Sequence, residues 1–200
     1  MKIDGIKRAM VEIEGVSPLL MHNGQLANPM NPIVKRMKEI TSKHSSKKTN
    51  TDEIELMRLE FMGGLYIAGE TGPFIPCECI EGCIRDAAKI NSKGKQVTAG
   101  LQVDPDRIRL DYDGPRTADA LYEEKSFVDV RPIKLQKSTT VMRTRPRFDR
   151  WSAAFEVMVI DEVLNIADVG KFIEKAGMLK GLMDYRPKFG RFVVKAFEEV

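Results

Sequence analysis

The stretch GMLKGLMDYRPKFGRF, residues 177–192, decides how the chain is organised around its last turn. It follows a helical pattern and leads into the alternating RFVVKAF, residues 191–197, which predicts a helix-to-strand loop. Glycine permits positive φ and close backbone approach, so the loop suits an anion site as well as an ordinary helix cap and turn. The loop combines glycines, cations and aromatic side chains: Gly177, Gly181, Gly190, Arg186, Lys188, Tyr185 and Phe189.

The apolar periodicity of the whole chain predicts the element order βαββαβ. This is the split βαβ or ferredoxin-like pattern of RNA-recognition domains, an α+β fold. It builds a four-stranded antiparallel sheet with two helices on one face, and we expect insertions or a ligand to cover the other face. The predicted strands span 6–15, 126–135, 151–160 and 190–197, and the predicted helices span 78–91 and 165–176.

The length and composition favour one domain with sizeable insertions. Two hundred residues with 42% hydrophobic content can form a real core. We predict a single RRM-like domain over residues 1–200, with insertions at 17–73 and 95–125. Residues 131–150 contain two extended arms around Lys137 and predict a projecting β-hairpin.

Positive charge is concentrated in that hairpin, although the net charge of the chain is only +3. An extended strand would place Arg143, Arg145 and Arg147 on one side, where their guanidinium groups could bind phosphates. Phe148 and Trp151 lie beside them in the sequence, which favours stacking on bases. The alternative is a solvated, arginine-rich hairpin. Residues 131–150 hold seven cations against the single acid Asp149: Arg131, Lys134, Lys137, Arg143, Arg145, Arg147 and Arg150.

A second basic segment spans residues 34–48. It is weakly helical and fades into serine and lysine, so it is either a solvated flexible arm or an arm that binds a nucleic-acid backbone. Its cations face the single acid Glu39: Lys35, Arg36, Lys38, Lys43, Lys47 and Lys48.

Candidate catalytic and metal-binding residues are few. Cys77, Cys79 and Cys83 lie within seven residues, a poor disulfide framework that agrees with a reducing compartment. Buried free thiols and a zinc site completed by His22 or His44 both remain open. With two histidines in the chain and none of the common hydrolase or nucleotide-binding motifs, we predict no enzyme activity, no cofactor and no metal.

No run of about 18 apolar residues occurs, so we predict no membrane span. The N-terminal stretch alternates in polarity and lacks a signal-peptide core, which predicts a cytoplasmic protein.

Three short motifs resemble the RAMP superfamily of CRISPR-associated proteins. They are Ser17-Pro18-Leu19-Leu20 after the first strand, Phe74-Ile75-Pro76 leading to Ile80-Glu81-Gly82-Cys83-Ile84-Arg85, and the terminal glycine and arginine loop. The middle motif is similar to the family's I-P-G-S-S-L-K-G-x-L-R segment, whose loop and helix N-terminus contact the RNA backbone. Cys77, Glu78 and Cys79 stand where that segment has Gly-Ser-Ser.

The resemblance is strongest to the backbone subunits that polymerise along crRNA. It implies an RRM-like palm, a thumb at 131–150 and a finger or web within 17–73. It also implies filament-like self-association, other CRISPR-type subunits as partners and a role in antiviral defence. Family members that cut RNA use an aspartate in the loop after the first strand, and residues 17–50 contain none.

These observations predict a non-enzymatic protein that binds the backbone of single-stranded nucleic acid, RNA before DNA, and self-assembles along the strand. The alternatives are a RAMP-type RNA endonuclease using His22, or a phage-encoded protein that binds single-stranded DNA or mimics a CRISPR subunit. The predicted stacking residues are Phe148, Trp151 and Tyr185. The predicted backbone contacts are Lys35, Arg36, Arg85, Lys137, Arg143, Arg145, Arg147, Arg186, Lys188 and Arg191.

Overall fold

The fold is built around one antiparallel sheet with a helical layer on one face, as a computed structural model of residues 5–134 and 140–200 describes it. The predicted contact residue Lys137 lies outside the described residues. The described strands are β1 (Ile6–Gly15), β2 (Leu19–Leu20), β3 (Ile67–Ala68), β4 (Gly72–Pro76), β5 (Leu101–Asp104), β6 (Arg107–Arg109), β7 (Val128–Lys134), β8 (Thr140–Phe148), β9 (Ser152–Ile160) and β10 (Phe192–Glu199). The described helices are α1 (Pro32–Thr41), α2 (Asn50–Gly64), α3 (Cys77–Ala88), α4 (Gly94–Gly100), α5 (Ala118–Glu123) and α6 (Ile166–Leu179).

The central sheet has the strand order β10-β1-β9-β5, and all of its neighbouring strands are antiparallel. Helix α3 lies between β1 and β5 in the chain, and α6 lies between β9 and β10. This order and connectivity are those of the split βαβ unit, so the predicted α+β, RRM-like fold is confirmed.

One strand of that prediction is wrong. The second strand of the split βαβ unit is β5, within the predicted insertion 95–125, and not the segment 126–135. Only Val103 among its four residues is buried, so β5 is too short to carry a clear alternating pattern. The segment 126–135 instead contributes β7 to a separate hairpin with β8. Apolar and polar residues alternate over more positions in β7 than in β5, and this alternation is the same as that of a core strand.

The hairpin and a short strand form a second sheet with the order β2-β8-β7. Strands β7 and β8 pair from Val128 opposite Pro146 to Lys134 opposite Thr140. On the other side of β8, strand β2 pairs only with Phe148 and Arg147, so most of that edge needs another partner.

The core lies between the central sheet and its helices. The side chains of Ala9, Val11 and Ile13 alternate inward along β1 and pack against the helical layer, which includes Ile84 of α3 and Ile173 of α6. Inward-facing side chains of β9 and β10 complete the same cluster. Burial of this apolar surface is the main stabilising contribution to the fold. Within the described ranges, no helix is both long and apolar enough to cross a membrane.

Candidate nucleic-acid interface

The loop between α6 and β10 is hydrogen-bonded to the segment that follows β1. Leu182 N–H donates to the Gly190 carbonyl over 2.8 Å, which closes the loop at its base. Gly190 N–H donates to the Pro18 carbonyl over 2.8 Å, and Asp184 N–H donates to the Leu20 carbonyl over 3.0 Å. These bonds hold both ends of the loop on the rigid core and leave its tip, residues 185–188, projecting outward.

Two glycines make this closure possible. Gly181 and Gly190 have φ of 74° and 71°, in the left-handed region that glycine adopts without strain. A Cβ at Gly190 would lie 2.0 Å from the Leu182 carbonyl oxygen, and one at Gly181 would lie 2.5 Å from the Phe189 carbonyl oxygen. The glycines are therefore required for the close approach of two backbone segments.

Two further residues of the loop are left-handed without being glycine. Met183 and Tyr185 have φ of 62° and 59°, a conformation that costs free energy for a residue with a side chain. Residues in such a conformation concentrate at functional sites. Here they lie at the start of the turn in which Tyr185, Arg186 and Lys188 are exposed.

The three motifs of the sequence meet at this loop. Cys83 Sγ–H of α3 donates to the Gly181 carbonyl over 3.1 Å. Arg191 N–H donates to Ser17 Oγ over 2.9 Å, and its Nε–H donates to the Pro187 carbonyl over 2.7 Å. The Arg191 side chain thus supports the loop through a carbonyl oxygen, while its exposed guanidinium keeps other donors free.

A cleft of about 860 Å³ opens between the end of α3 and this loop. Its polar lining includes Lys89, Lys180 and Arg186, together with the carboxylates Asp86 and Asp184. Its exposed apolar lining consists of Ile90, Leu179 and Tyr185. Cations and apolar surface therefore lie side by side in one open groove.

Positive charge exceeds negative charge around Asp86. The Lys89 ammonium donates to Asp86 over 2.8 Å, and this hydrogen bond lowers the pKa of Asp86. The positive charges of Lys89, Arg85 and Arg186 lower it further. Three cations thus act on one carboxylate, which leaves the surroundings of the cleft with excess positive potential.

The tip of the loop carries two exposed cations. These are Arg186 and Lys188, and no carboxylate of residues 5–69, 71–134 or 140–200 forms a salt bridge with either. The neighbouring aromatic Phe189 is held under the Arg131 guanidinium, 4.3 Å from the ring centroid, which ties the loop to β7.

The three predicted phosphate-binding arginines of the hairpin are each paired with a carboxylate of the protein. Arg145 is only 8% exposed and its guanidinium pairs with Asp184, so its predicted role as a phosphate contact is wrong. Arg143 Nη1–H donates to Glu60 over 2.8 Å. Arg147 Nε–H donates over 2.5 Å to Asp149. The alternation along β8 predicted a shared face for the three arginines, and the structure pairs them with the carboxylates of Glu60, Asp184 and Asp149.

Two of the predicted stacking residues are also wrong. Phe148 is fully buried and packs edge-on against Tyr112, with ring centroids 4.8 Å apart. Trp151 is 3% exposed, and its indole N–H donates to the Ser17 carbonyl over 2.9 Å. Phe148 belongs to the core because it ends β8 on the face that alternates with the arginines. Trp151 lies between β8 and β9, and its ring packs against Phe192. The third predicted residue, Tyr185, is 39% exposed at the cleft.

The remaining predicted contacts lie on helices. Lys35 and Arg36 are exposed on α1, where Arg36 forms salt bridges with Glu39 at 2.9 Å and Glu55 at 2.7 Å. These carboxylates raise the pKa of Arg36 and compete with any phosphate for its donors. Arg85 of α3 is half-buried and 4.0 Å from Asp86, near the cleft.

Sequence reasoning missed Glu60 and Lys180. Glu60 Oε2 accepts a hydrogen bond of 2.8 Å from Thr144 N–H, and Glu60 Oε1 accepts one from Arg143. Glu60 therefore satisfies a backbone N–H on the part of the β8 edge that β2 does not pair with. The signal available in the sequence was an acidic residue among the apolar residues Leu59, Phe61 and Met62. Lys180 lies within the stretch 177–192 and lines the cleft.

His22 and the three cysteines were the candidate catalytic and metal-binding residues. His22 is exposed beside a cavity of about 290 Å³ that Glu60 and Arg143 also line. Burial raises the pKa of Cys79 to about 11 and that of Cys83 to about 12, which disfavours the thiolate forms that metals bind. Among the described residues, no three His, Cys, Asp or Glu side chains are grouped as a metal site.

Replacing Arg145 by alanine is expected to destabilise the fold by about 2–3 kcal/mol. The change leaves the Asp184 carboxylate, 28% exposed, without its cation. Denaturant unfolding should show a lower midpoint with an unchanged slope. The matched control is Arg109→Ala, which removes the exposed pair with Asp111 and should cost less than about 1 kcal/mol. Equal losses for the two variants would mean that the Arg145–Asp184 pair has no special role.

Comparison with known proteins shows a structural likeness but no match in sequence. No family model matches the chain, and no curated protein matches it. A chain from the "Cryo-EM structure of the Type III-B Cmr-beta bound to cognate target RNA" is similar with a TM-score of 0.49 and 14% identity, over 98% of this chain and 61% of that chain. This chain therefore spans less than two thirds of that neighbour's length, and a likeness at this level says nothing about function. The resemblance to the RAMP superfamily stays a prediction.

Proposed function

We propose that this protein binds the sugar-phosphate backbone of single-stranded nucleic acid, RNA before DNA, through the cleft beside the loop 180–191, and that copies bind side by side along one strand. The main support for the proposal is the exposure of two cations at the tip of that loop. The tip holds Arg186 and Lys188 outward, without a carboxylate partner among the described residues, on a backbone fixed at both ends.

The chemistry of the tip and cleft suits phosphate. The guanidinium groups of Arg186 and Arg191 offer paired donors to phosphate oxygens, and Lys188 and Lys180 add point charges nearby. Because hydrogen bonds to residues 17–20 already order the loop, little conformational entropy remains to be lost on binding.

The apolar lining favours a single strand over a duplex. Tyr185 and Leu179 are exposed next to the cations, where unpaired bases could contact them. The bases of a duplex are covered by their own stacking and offer no such surface.

The open face of the central sheet is less suitable for nucleic acid. RNA-recognition domains stack bases on aromatic side chains of that face. Here the outward positions of β1 include Met10, Glu12 and Glu14 and no aromatic residue. The cations Arg8 and Lys195 of this face are paired with Glu156 and Glu14, so the face supplies neither stacking nor net positive charge. The cleft at the glycine-rich loop is therefore the better interface.

The motif resemblance to RAMP backbone subunits supports RNA as the polymer, several copies per strand and other CRISPR-type subunits as further partners. We propose binding without cleavage, since Glu60, the carboxylate that shares a cavity with His22, is already engaged by Arg143 and Thr144. RNA incubated with the protein should stay intact on a denaturing gel. Cleavage by the wild type that disappears in His22→Ala would instead support an endonuclease.

Salt titration tests the proposal directly. Four phosphate contacts, at Lys180, Arg186, Lys188 and Arg191, predict a slope of log affinity against log salt of about −2.8, so doubling the salt should weaken binding about sevenfold. Fluorescence anisotropy with a labelled single-stranded RNA measures it, with the same DNA sequence and an RNA duplex as comparisons. Absence of binding, or an affinity that salt leaves unchanged, would contradict the proposal.

A further inference from the structure

The face of the central sheet opposite α3 and α6 is left open. Along β1 the buried residues Ala9, Val11 and Ile13 point to the helices, so the intervening side chains point away from them. Their cross-strand neighbours on β9 and β10 extend this open face. The open face comprises Arg8, Met10, Glu12, Glu14, Gln102, Asp104, Ala154, Glu156, Met158, Ile160, Val193, Lys195, Ala196 and Glu198.

The open face is acidic in a chain whose net charge is +3. Glu156 pairs with Arg8 at 3.2 Å and Glu14 pairs with Lys195 at 3.1 Å. Within the described part of the chain, no cation forms a salt bridge with the other carboxylates of the face: Asp104, Glu12 and Glu198. This excess negative charge repels nucleic acid and attracts a basic protein surface.

Flatness and apolar area make the same face suitable for protein contact. Ala154 and Ala196 flank Glu12 on the two neighbouring strands, so the Glu12 carboxylate lies between two small side chains in a shallow depression of the sheet surface. Met10 is 44% exposed in the next cross-strand row. Exposed aliphatic side chains bounded by charges are typical of a protein interface.

A complementary surface exists on the same chain. Helix α1 packs its apolar side against the protein, with Ile40 fully buried, and turns Lys35 and Lys38 outward one helical turn apart. Lys47, in the turn that follows, is also exposed. None of these three lysines has a carboxylate partner within the ranges that the structure covers.

We infer that the acidic open face of one copy docks on the lysine face of α1 of a second copy. This rests on the side-by-side association in the proposed function and names the two surfaces that form it. Because the two surfaces differ, the contact is head-to-tail and can repeat from copy to copy as an open array.

The dimensions of the face predict a weak contact. Four strands about 4.8 Å apart and about seven residues long at 3.4 Å each give a footprint on the order of 450 Å². A stable interface buries about 800 Å² per partner, so single contacts should form only at high protein concentration. Tethering on one nucleic-acid strand raises the effective concentration and would make the weak contact sufficient.

Charge reversal tests the interface without nucleic acid. Sedimentation velocity of the wild type at high concentration and low salt should show association that high salt abolishes. Glu12→Lys with Glu198→Lys on the sheet face, and Lys35→Glu with Lys38→Glu on α1, should each lower the association constant by about tenfold or more. A mixture of the two variants should associate again, because each reversed face then meets its opposite. All four positions are exposed, and thermal unfolding of each variant verifies the fold.

The outcomes separate this inference from nucleic-acid binding. An RNA too short to hold two copies should bind both variants as it binds the wild type. A wild type that stays monomeric, reversed variants that still associate, or a mixture that stays monomeric would each overturn the interface. A selective loss of RNA affinity in the α1 variant would also overturn it, since those lysines would then serve nucleic acid. Failure of the wild type to bind RNA would contradict the proposed function. The interface between copies would then be tested by the sedimentation experiments alone.

Discussion

Replacing Arg186 and Lys188 together by alanine is expected to lower the affinity for single-stranded RNA about 100-fold near physiological salt. A charge-assisted contact to phosphate contributes about 1.4 kcal/mol or more, or roughly tenfold in affinity for each residue. Both side chains are exposed, and the backbone bonds at the base of the loop do not involve them, so the fold should keep its stability. Anisotropy titrations measure the affinity, and the salt slope should become shallower by about 1.4.

The matched control removes the same number of charges elsewhere. Lys125 and Arg150 are also exposed, and no carboxylate of residues 5–69, 71–134 or 140–200 forms a salt bridge with them. The variant Lys125→Ala with Arg150→Ala should retain most of the wild-type affinity, because its charges lie outside the cleft. If both double variants lose affinity equally, net charge rather than the loop drives binding and the assigned interface is wrong.

Gly190→Ala is expected to destabilise the protein by about 4 kcal/mol or more, which corresponds to a fall of roughly 8–16 °C in Tm for a chain of this size. The new Cβ would lie 2.0 Å from the Leu182 carbonyl oxygen and 2.7 Å from the Leu182 nitrogen, at a φ of 71°. Neither backbone segment can move freely, because Gly190 is hydrogen-bonded to both Leu182 and Pro18. Calorimetry or thermal circular dichroism measures the change.

Gly82→Ala is the control for that prediction. Gly82 lies inside α3, and the nearest atom to a new Cβ is the flexible end of Arg85 at 3.5 Å. Alanine is favoured over glycine in a helix by about 1 kcal/mol, so this variant should be as stable as the wild type or more stable. A Gly190→Ala protein with wild-type Tm would show that the loop closure is not required for the fold.

Much of the fold was predictable because its long elements carry their own periodicity. Strands β1 and β9 and helices α3 and α6 bury one regular face each, and their apolar spacing shows it. Strand β5 was missed because a strand with one buried residue leaves no pattern. Its place in the sheet follows from pairing with β9, a contact between residues more than fifty positions apart.

The candidate site was predictable by residue type but not by accessibility. Arginines of the hairpin and of the terminal loop look alike in the sequence. Arg143 meets Glu60, which is 83 positions away, and Arg145 meets Asp184 across two elements. The stacking prediction failed for Phe148 because the outward and inward faces of β8 cannot be told apart without its neighbours.

The alternation of helices and strands, the need for glycine at the last turn and the supply of cations around it can all be seen in the amino-acid sequence. These are local properties, set by side-chain periodicity and by the φ that each residue tolerates. Which cations lack a carboxylate partner depends instead on the tertiary structure. Salt bridges and burial depend on residues brought together by folding, and they neutralise the hairpin arginines while leaving Arg186 and Lys188 exposed at the loop 180–191.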